Sequence, residues 1–101
     1  MDAIVIDDDL STVEVIVSNV DWDKFHIDNV HKAYNIAAAK KIILENDISI
    51  AVCDIEMPMG SGLDLIKWVR ENDMDTEFIF LTSHEKFDYA RAAIEYKASG
   101  Y

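Results

Sequence analysis

Ile48-Ser49-Ile50-Ala51-Val52-Cys53-Asp54-Ile55-Glu56-Met57-Pro58 is the stretch that decides the fold of this chain. An apolar run of strand length stops at a carboxylate, Asp54, and a breaker-rich segment with Pro58, Gly60 and Gly62 follows. Two other runs end the same way. Ala3-Ile4-Val5-Ile6 runs into Asp7-Asp8-Asp9, and Phe78-Ile79-Phe80-Leu81 runs into the hydroxyls Thr82 and Ser83. Apolar strands that each deliver polar chemistry at their carboxyl ends describe an α/β parallel sheet with its site along one edge, where open sheets of this kind bind ligands. Carboxylates and hydroxyls converging there would suit a divalent cation and a phosphoryl group.

Between these runs the pattern switches to helical spacing, the mark of βα units. Residues 3–6 read as the first strand. Leu10, Val13, Ile16, Val17 and Val20 then recur as one face of a helix over 10–20. Residues 25–30 alternate enough to predict a second strand. Asn35 is suited to cap a helix that runs through Asn46 and turns Ile36, Ala39, Ile42 and Ile43 inward. The third strand is 48–53, a loop follows to Ser61, and a helix over 63–72 carries Leu63, Ile66, Trp68 and Val69. The fourth strand is 78–81, and a last helix is expected over 87–96. No repeat, linker or low-complexity tract interrupts the alternation, so residues 1–101 read as one domain.

Composition narrows the function. The 101 residues, half of them hydrophobic, suffice for one packed core. No apolar run approaches the roughly 20 residues of a membrane span, and the start does not resemble a signal peptide, so a cytoplasmic protein is expected. The single cysteine, Cys53, sits inside an apolar run, which predicts a buried structural thiol. Twenty acidic residues against nine basic give a net charge of −11. That balance excludes direct nucleic-acid contact by this segment, since phosphate binding requires a basic face. Some of the acid, such as Asp21, Asp23, Asp28, Asp73 and Asp75, reads as solvated surface. Acid gathered at strand ends is different, because like charges held together cost free energy until a cation or a proton relieves them. Asp7, Asp8 and Asp54 therefore need a partner.

Over its whole length the chain resembles the receiver domains of two-component response regulators, the CheY-like superfamily. The matching motifs are Ile4-Val5-Ile6-Asp7-Asp8, Cys53-Asp54-Ile55-Glu56-Met57-Pro58, Gly62-Leu63, Phe80-Leu81-Thr82-Ser83 and Ala98-Ser99-Gly100-Tyr101. They stand in the family's order, 46 residues from Asp8 to Asp54 and 28 from Asp54 to Thr82. The resemblance implies a flavodoxin-like, doubly wound sheet of strand order 2-1-3-4-5. It implies that Asp54 accepts a phosphoryl group from a sensor histidine kinase, and that Mg²⁺ is held by Asp7, Asp8, Asp54 and the backbone carbonyl of Glu56. Thr82 would be the switch hydroxyl that bonds the phosphoryl oxygens, and Tyr101 the switch aromatic that turns inward. Such a protein is a phosphoacceptor switch and not a conventional enzyme, with at most self-catalysed phosphotransfer and dephosphorylation.

The stretch 87–94 looks like receivers joined to AraC-type DNA-binding output domains, which implies a transcriptional regulator as the parent protein. The family also carries a lysine on a fifth strand, three residues beyond the position of Tyr101. Lys86 and Lys97 fall on the wrong elements to replace it. The chain thus reads as a receiver cut before its fifth strand and fifth helix, with the fourth strand left as an apolar edge. Such an edge is a pairing hazard, so instability, swapped elements or a homodimer is expected.

Two other readings stay open at the level of sequence. Ile4 to Ser11 approaches the haloacid-dehalogenase pattern, in which Asp7 would be the nucleophile and Asp9 the acid/base of a phosphohydrolase. That reading leaves Asp54 without a role. A phosphorylation-independent pseudo-receiver is the other. Among the remaining residues, His26, His31 and His84 lack metal spacing, Trp22 and Trp68 read as packing residues, and Met57 and Met59 are expected on a loop surface.

Overall fold

Each apolar run becomes a strand because both of its faces can be buried. The computed structural model describes residues 1–57 and 60–81. In chain order they form β1 (Asp2–Ile6), α1 (Leu10–Asn19), a single 3₁₀ turn (Trp22–Phe25), β2 (Asn29–Ala33), α2 (Ile36–Glu45), β3 (Ile48–Asp54), β4 (Glu56–Met57), β5 (Gly60–Ser61), α3 (Gly62–Glu71) and β6 (Glu77–Leu81). β2, β1, β3 and β6 lie in that order in one sheet, and every pairing in it is parallel. This is the expected receiver order over its first four strands. The short β4 and β5 pair antiparallel with each other.

Alternate residues of the strands feed two cores. Ile4, Ile6, Cys53, Phe78 and Phe80 pack against α2 and α3 on one face. Val5 and Val52 meet Val13 of α1 on the other. Helices on both faces make the sheet doubly wound. Burial of each such side chain stabilises the fold by about 1.5–3 kcal/mol, and a one-residue slip would turn every strand residue to the wrong face.

Among the described residues, all three α-helices start at the carboxyl edge of the sheet, and each has a side-chain cap. Asp9 accepts from the Ser11 N–H at 2.9 Å, Asn35 from the Ala38 N–H at 2.7 Å, and the Ser61 hydroxyl from the Leu63 N–H at 3.0 Å. Ser61 and Asp64 complete a capping box.

The structure corrects the sequence reading in two places. The second strand begins at Asn29 and not at residue 25. The Asp21 carboxylate accepts from the Lys24 N–H, a 3₁₀ turn follows, and His26 closes it in the left-handed region at φ 61°. Phe25 is thereby left 58% exposed. In the segment after β3, β4 and β5 form a short ladder, and Met57 packs against the core instead of lying on a surface loop. Gly62 opens α3, in line with the Gly62-Leu63 motif. The helix expected over 87–96 lies outside the described residues. Among those residues, no helix is long and apolar enough to cross a membrane.

Gly62 positions the site. Its N–H donates to the Ile55 carbonyl at 2.8 Å, which draws the start of α3 onto the end of β3. A Cβ at this position would stand 2.5 Å from the Asp54 carbonyl oxygen, 3.0 Å from Cys53 Sγ and 3.1 Å from the Phe80 ring. Two of those obstacles are backbone or aromatic and cannot swing aside. Gly62→Ala is expected to destabilise the fold by about 1–3 kcal/mol, the usual cost of overpacking, as read from urea unfolding followed by circular dichroism. An unchanged midpoint would show that α3 can lift from β3 at no cost.

Candidate functional site at the carboxyl edge of the sheet

β1 and β3 pair in the register Val5↔Val52 and Ile6↔Cys53. The next residue on each strand is an aspartate, so Asp7 and Asp54 stand at the same level on adjacent strands. Asp8 follows one residue on. Asp7, Asp8 and Asp54 each offer an oxygen, and the three atoms lie within 4.8 Å of one another. The sequence spacing of 46 residues between Asp8 and Asp54 is closed entirely by the parallel crossover.

The backbone fixes these side chains. The Asp7 N–H donates to the Ala33 carbonyl at 3.1 Å, and the Asp7 carboxylate accepts from the Asp9 N–H at 2.9 Å. Asp54 accepts from the Glu56 N–H at 3.3 Å, while the Ile55 N–H reaches the Leu81 carbonyl at 3.3 Å. Asp7 is only 7% exposed, Asp54 is half-buried and Asp8 faces solvent. Asp9, next in the chain, turns its carboxylate to the helix cap and is not one of the converging three.

Burial and mutual repulsion decide the electrostatics. Desolvation pushes the Asp54 carboxyl up to about 6, with the Asp7 charge adding to the shift. Burial likewise raises Asp7, opposed by the Asp9 N–H and reinforced by Asp8 and Asp9. The thiol of Cys53, fully buried behind Asp54, is raised by its desolvation and by the same negative charges. An all-carboxylate set with one nearly buried member fits a hard divalent cation, which takes oxygen ligands and would relieve the repulsion.

The family profile for the response regulator receiver domain matches residues 3–101. This chain belongs to the response regulator receiver family. Among curated proteins it is 29% identical over 98 residues to an uncharacterised response regulatory protein of Staphylococcus epidermidis, covering 97% of this chain and 38% of that protein. It is 28% identical over 95 residues to the uncharacterised transcriptional regulatory protein YesN of Bacillus subtilis, covering 94% of this chain and 26% of YesN. The chain therefore spans well under half the length of the curated relatives it matches. Among solved structures, the receiver domain of AraT, a response regulator of Geobacillus stearothermophilus, superposes with a TM-score of 0.88 at 28% identity, covering 99% of this chain and 78% of that one. A two-component transcriptional regulator AraC of Clostridium phytofermentans gives a TM-score of 0.85 at 23% identity, covering 94% of this chain and 74% of that one.

Within this receiver, the structure brings Asp7, Asp8 and Asp54 together and sets the Glu56 backbone beside Asp54. Leu81 pairs with Asp54 across β6 and β3, and Thr82 is the residue after it. Thr82 and Tyr101 themselves lie outside the described residues, as do Pro58, Met59, His84, Lys86 and Lys97. Sequence reasoning missed the cap formed by Asp9, although an aspartate just before a helical apolar pattern is the ordinary signal for one.

The raised carboxyl of Asp54 has a direct consequence for stability. Below its ordinary value of 3.8 both folded and unfolded chains hold the proton, and no penalty arises. As pH rises to about 6 the unfolded chain loses the proton first, so this group makes the metal-free fold progressively less stable. In EDTA, Asp54→Asn is expected to melt above wild type at pH 7, with the gap narrowing as pH falls towards 4.5. Mg²⁺ is expected to raise the wild-type Tm at pH 7 and to leave Asp54→Asn nearly unmoved. A gap independent of pH would show that Asp54 titrates normally.

Proposed function

We propose that this receiver is a phosphorylation-controlled switch in which Asp54 accepts a phosphoryl group from the phosphohistidine of a sensor histidine kinase. The convergence of Asp7, Asp8 and Asp54 at the carboxyl edge of a parallel sheet carries the reading. In this reading a carboxylate oxygen of Asp54 forms the new bond to phosphorus in line with the breaking P–N bond, and the donor imidazole departs. Phosphoryl transfer of this kind depends on positioning and charge neutralisation more than on acid–base chemistry. Asp54 needs no general base, because with its carboxyl at about 6 it is largely ionised at neutral pH.

Asp7, Asp8, one oxygen of Asp54 and the Glu56 backbone carbonyl would hold Mg²⁺, which would supply charge neutralisation for the incoming phosphoryl oxygens. The Glu56 N–H already bonded to Asp54 orients the acceptor carboxylate. Thr82 would receive the phosphoryl oxygens as the switch hydroxyl, and Tyr101 would follow it inward. The name of the AraC regulator of Clostridium phytofermentans and the resemblance of residues 87–94 support an AraC-type DNA-binding output domain in the parent protein. Transcription would then be the output, with homodimers as one route to it. Against the phosphohydrolase alternative, the Asp9 carboxylate that would be its acid/base accepts the Ser11 N–H at the N-cap of α1 and is not one of the three that converge.

Intact-mass spectrometry after incubation with Mg²⁺ and acetyl phosphate tests the proposal. A single phosphoryl adduct is expected on wild type and none on Asp54→Ala. Asp7→Asn and Asp8→Asn are expected to slow its formation by more than about tenfold, since a bound cation contributes several kcal/mol of charge stabilisation. An adduct that survives Asp54→Ala would move the acceptor to Asp7. No adduct on wild type would favour a phosphorylation-independent binding module.

A further inference from the structure

The opposite end of the sheet carries a cleft of about 700 Å³, within the roughly 300–1,000 Å³ typical of binding pockets. It opens where β1, β3 and β6 begin, away from Asp54. Phe25, Ile27 and Met74 contribute apolar surface to it, and Asp47, Asp75 and Glu77 stand among its lining. These three carboxylates are exposed. Phe25 is an exposed aromatic, a by-product of the 3₁₀ turn that displaced the start of β2. Among the described residues no lysine or arginine lines the cleft. The Met1 amino group is there, but it is held by Asp28 at 2.6 Å.

Charge and shape together narrow the occupant. The carboxylates around the cleft do not draw together as Asp7, Asp8 and Asp54 do, for that trio is the cluster among the described residues whose oxygens come within single-ion reach. Spaced negative charge complements spaced positive charge, not one cation. The apolar floor requires apolar side chains from the same occupant. With a net charge of −11, the chain repels nucleic acid and anionic lipid. A second copy would set one acidic rim against another, and like-charge juxtaposition suppresses such pairing.

We propose that this cleft is a docking surface for a basic amphipathic peptide segment of a partner protein. Its apolar side chains would cover Phe25 and Met74, and its lysines or arginines would face Asp47, Asp75 and Glu77. This surface does not depend on the chemistry at Asp54, so its test stands apart from phosphorylation.

The test is a titration of the ¹⁵N-labelled chain with a short synthetic peptide of alternating lysine and leucine, followed by amide shifts. A lysine–serine peptide of equal charge serves as the control. Shifts are expected at residues 25–27, 46–50 and 73–77, with weaker binding by the control. The double variant Asp75→Lys, Glu77→Lys and the single variant Phe25→Ser are each expected to weaken binding by about tenfold, equivalent to about 1.4 kcal/mol. All three positions are exposed, and unchanged circular dichroism would confirm that the variants fold. Shifts centred on Asp7, Asp8 and Asp54, equal affinity for the control peptide, or indifference to both variants would overturn the proposal. So would self-association in sedimentation that Phe25→Ser abolishes, which would assign the cleft to a second copy.

Discussion

The register between β1 and β3 is the constraint on which the rest of this structure depends. Ile6 opposite Cys53 leaves two aspartates side by side at the carboxyl edge. Electrostatics alone would part them. Packing does not allow it, because Ile4 and Ile6 point into one core and Val5 into the other. A slip that relieved the carboxylates would expose those side chains. The hydrophobic core therefore holds buried like charges in place, and the carboxyls of Asp7 and Asp54, raised first by desolvation and then by their mutual repulsion, are its local signature.

Helix starts complete the edge. α1, α2 and α3 all begin there, each with a side-chain cap, so their N-terminal dipoles lie on the side of the sheet that carries the acid. The cap on α1 also explains why the cluster has three members. Asp7-Asp8-Asp9 are equivalent in sequence, yet Asp9 is spent on the Ser11 N–H while Asp7 is buried beside Asp54. Adjacent identical residues thus acquire different chemistry from backbone geometry alone.

That distinction marks the limit of what the sequence discloses. β1, β3 and β6 were legible because strands buried on both faces are apolar runs, and α2 because Asn35 and the periodicity after it agree. Asp54 was legible as the carboxylate ending such a run. The second strand was not, because Phe25 and Ile27 mimic alternation while the true edge strand, Asn29–Ala33, is largely polar. What decided the difference was one Asp21 side chain closing a turn. The sequence marks Gly62 at the opening of a helix, but its close approach to the Asp54 carbonyl is a relation between parts of the chain that no local pattern encodes. The loop-surface expectation for Met57 fails for the same reason, since its packing against the core depends on how β4 and β5 pair.

Cys53 occupies the seam between β3 and α3. Its thiol is fully buried, donates weakly to the Asp54 carbonyl at 3.2 Å and is packed close to Gly62. As the only cysteine in the chain, it makes the protein its own clock for local opening. Alkylation requires an accessible thiolate, so a thiol reagent can modify Cys53 only when the helix and strand separate. The labelling rate under native conditions therefore times the parting of the two elements that frame Asp54. Cysteines introduced on the surface would react first and separately, leaving this slow internal signal undisturbed.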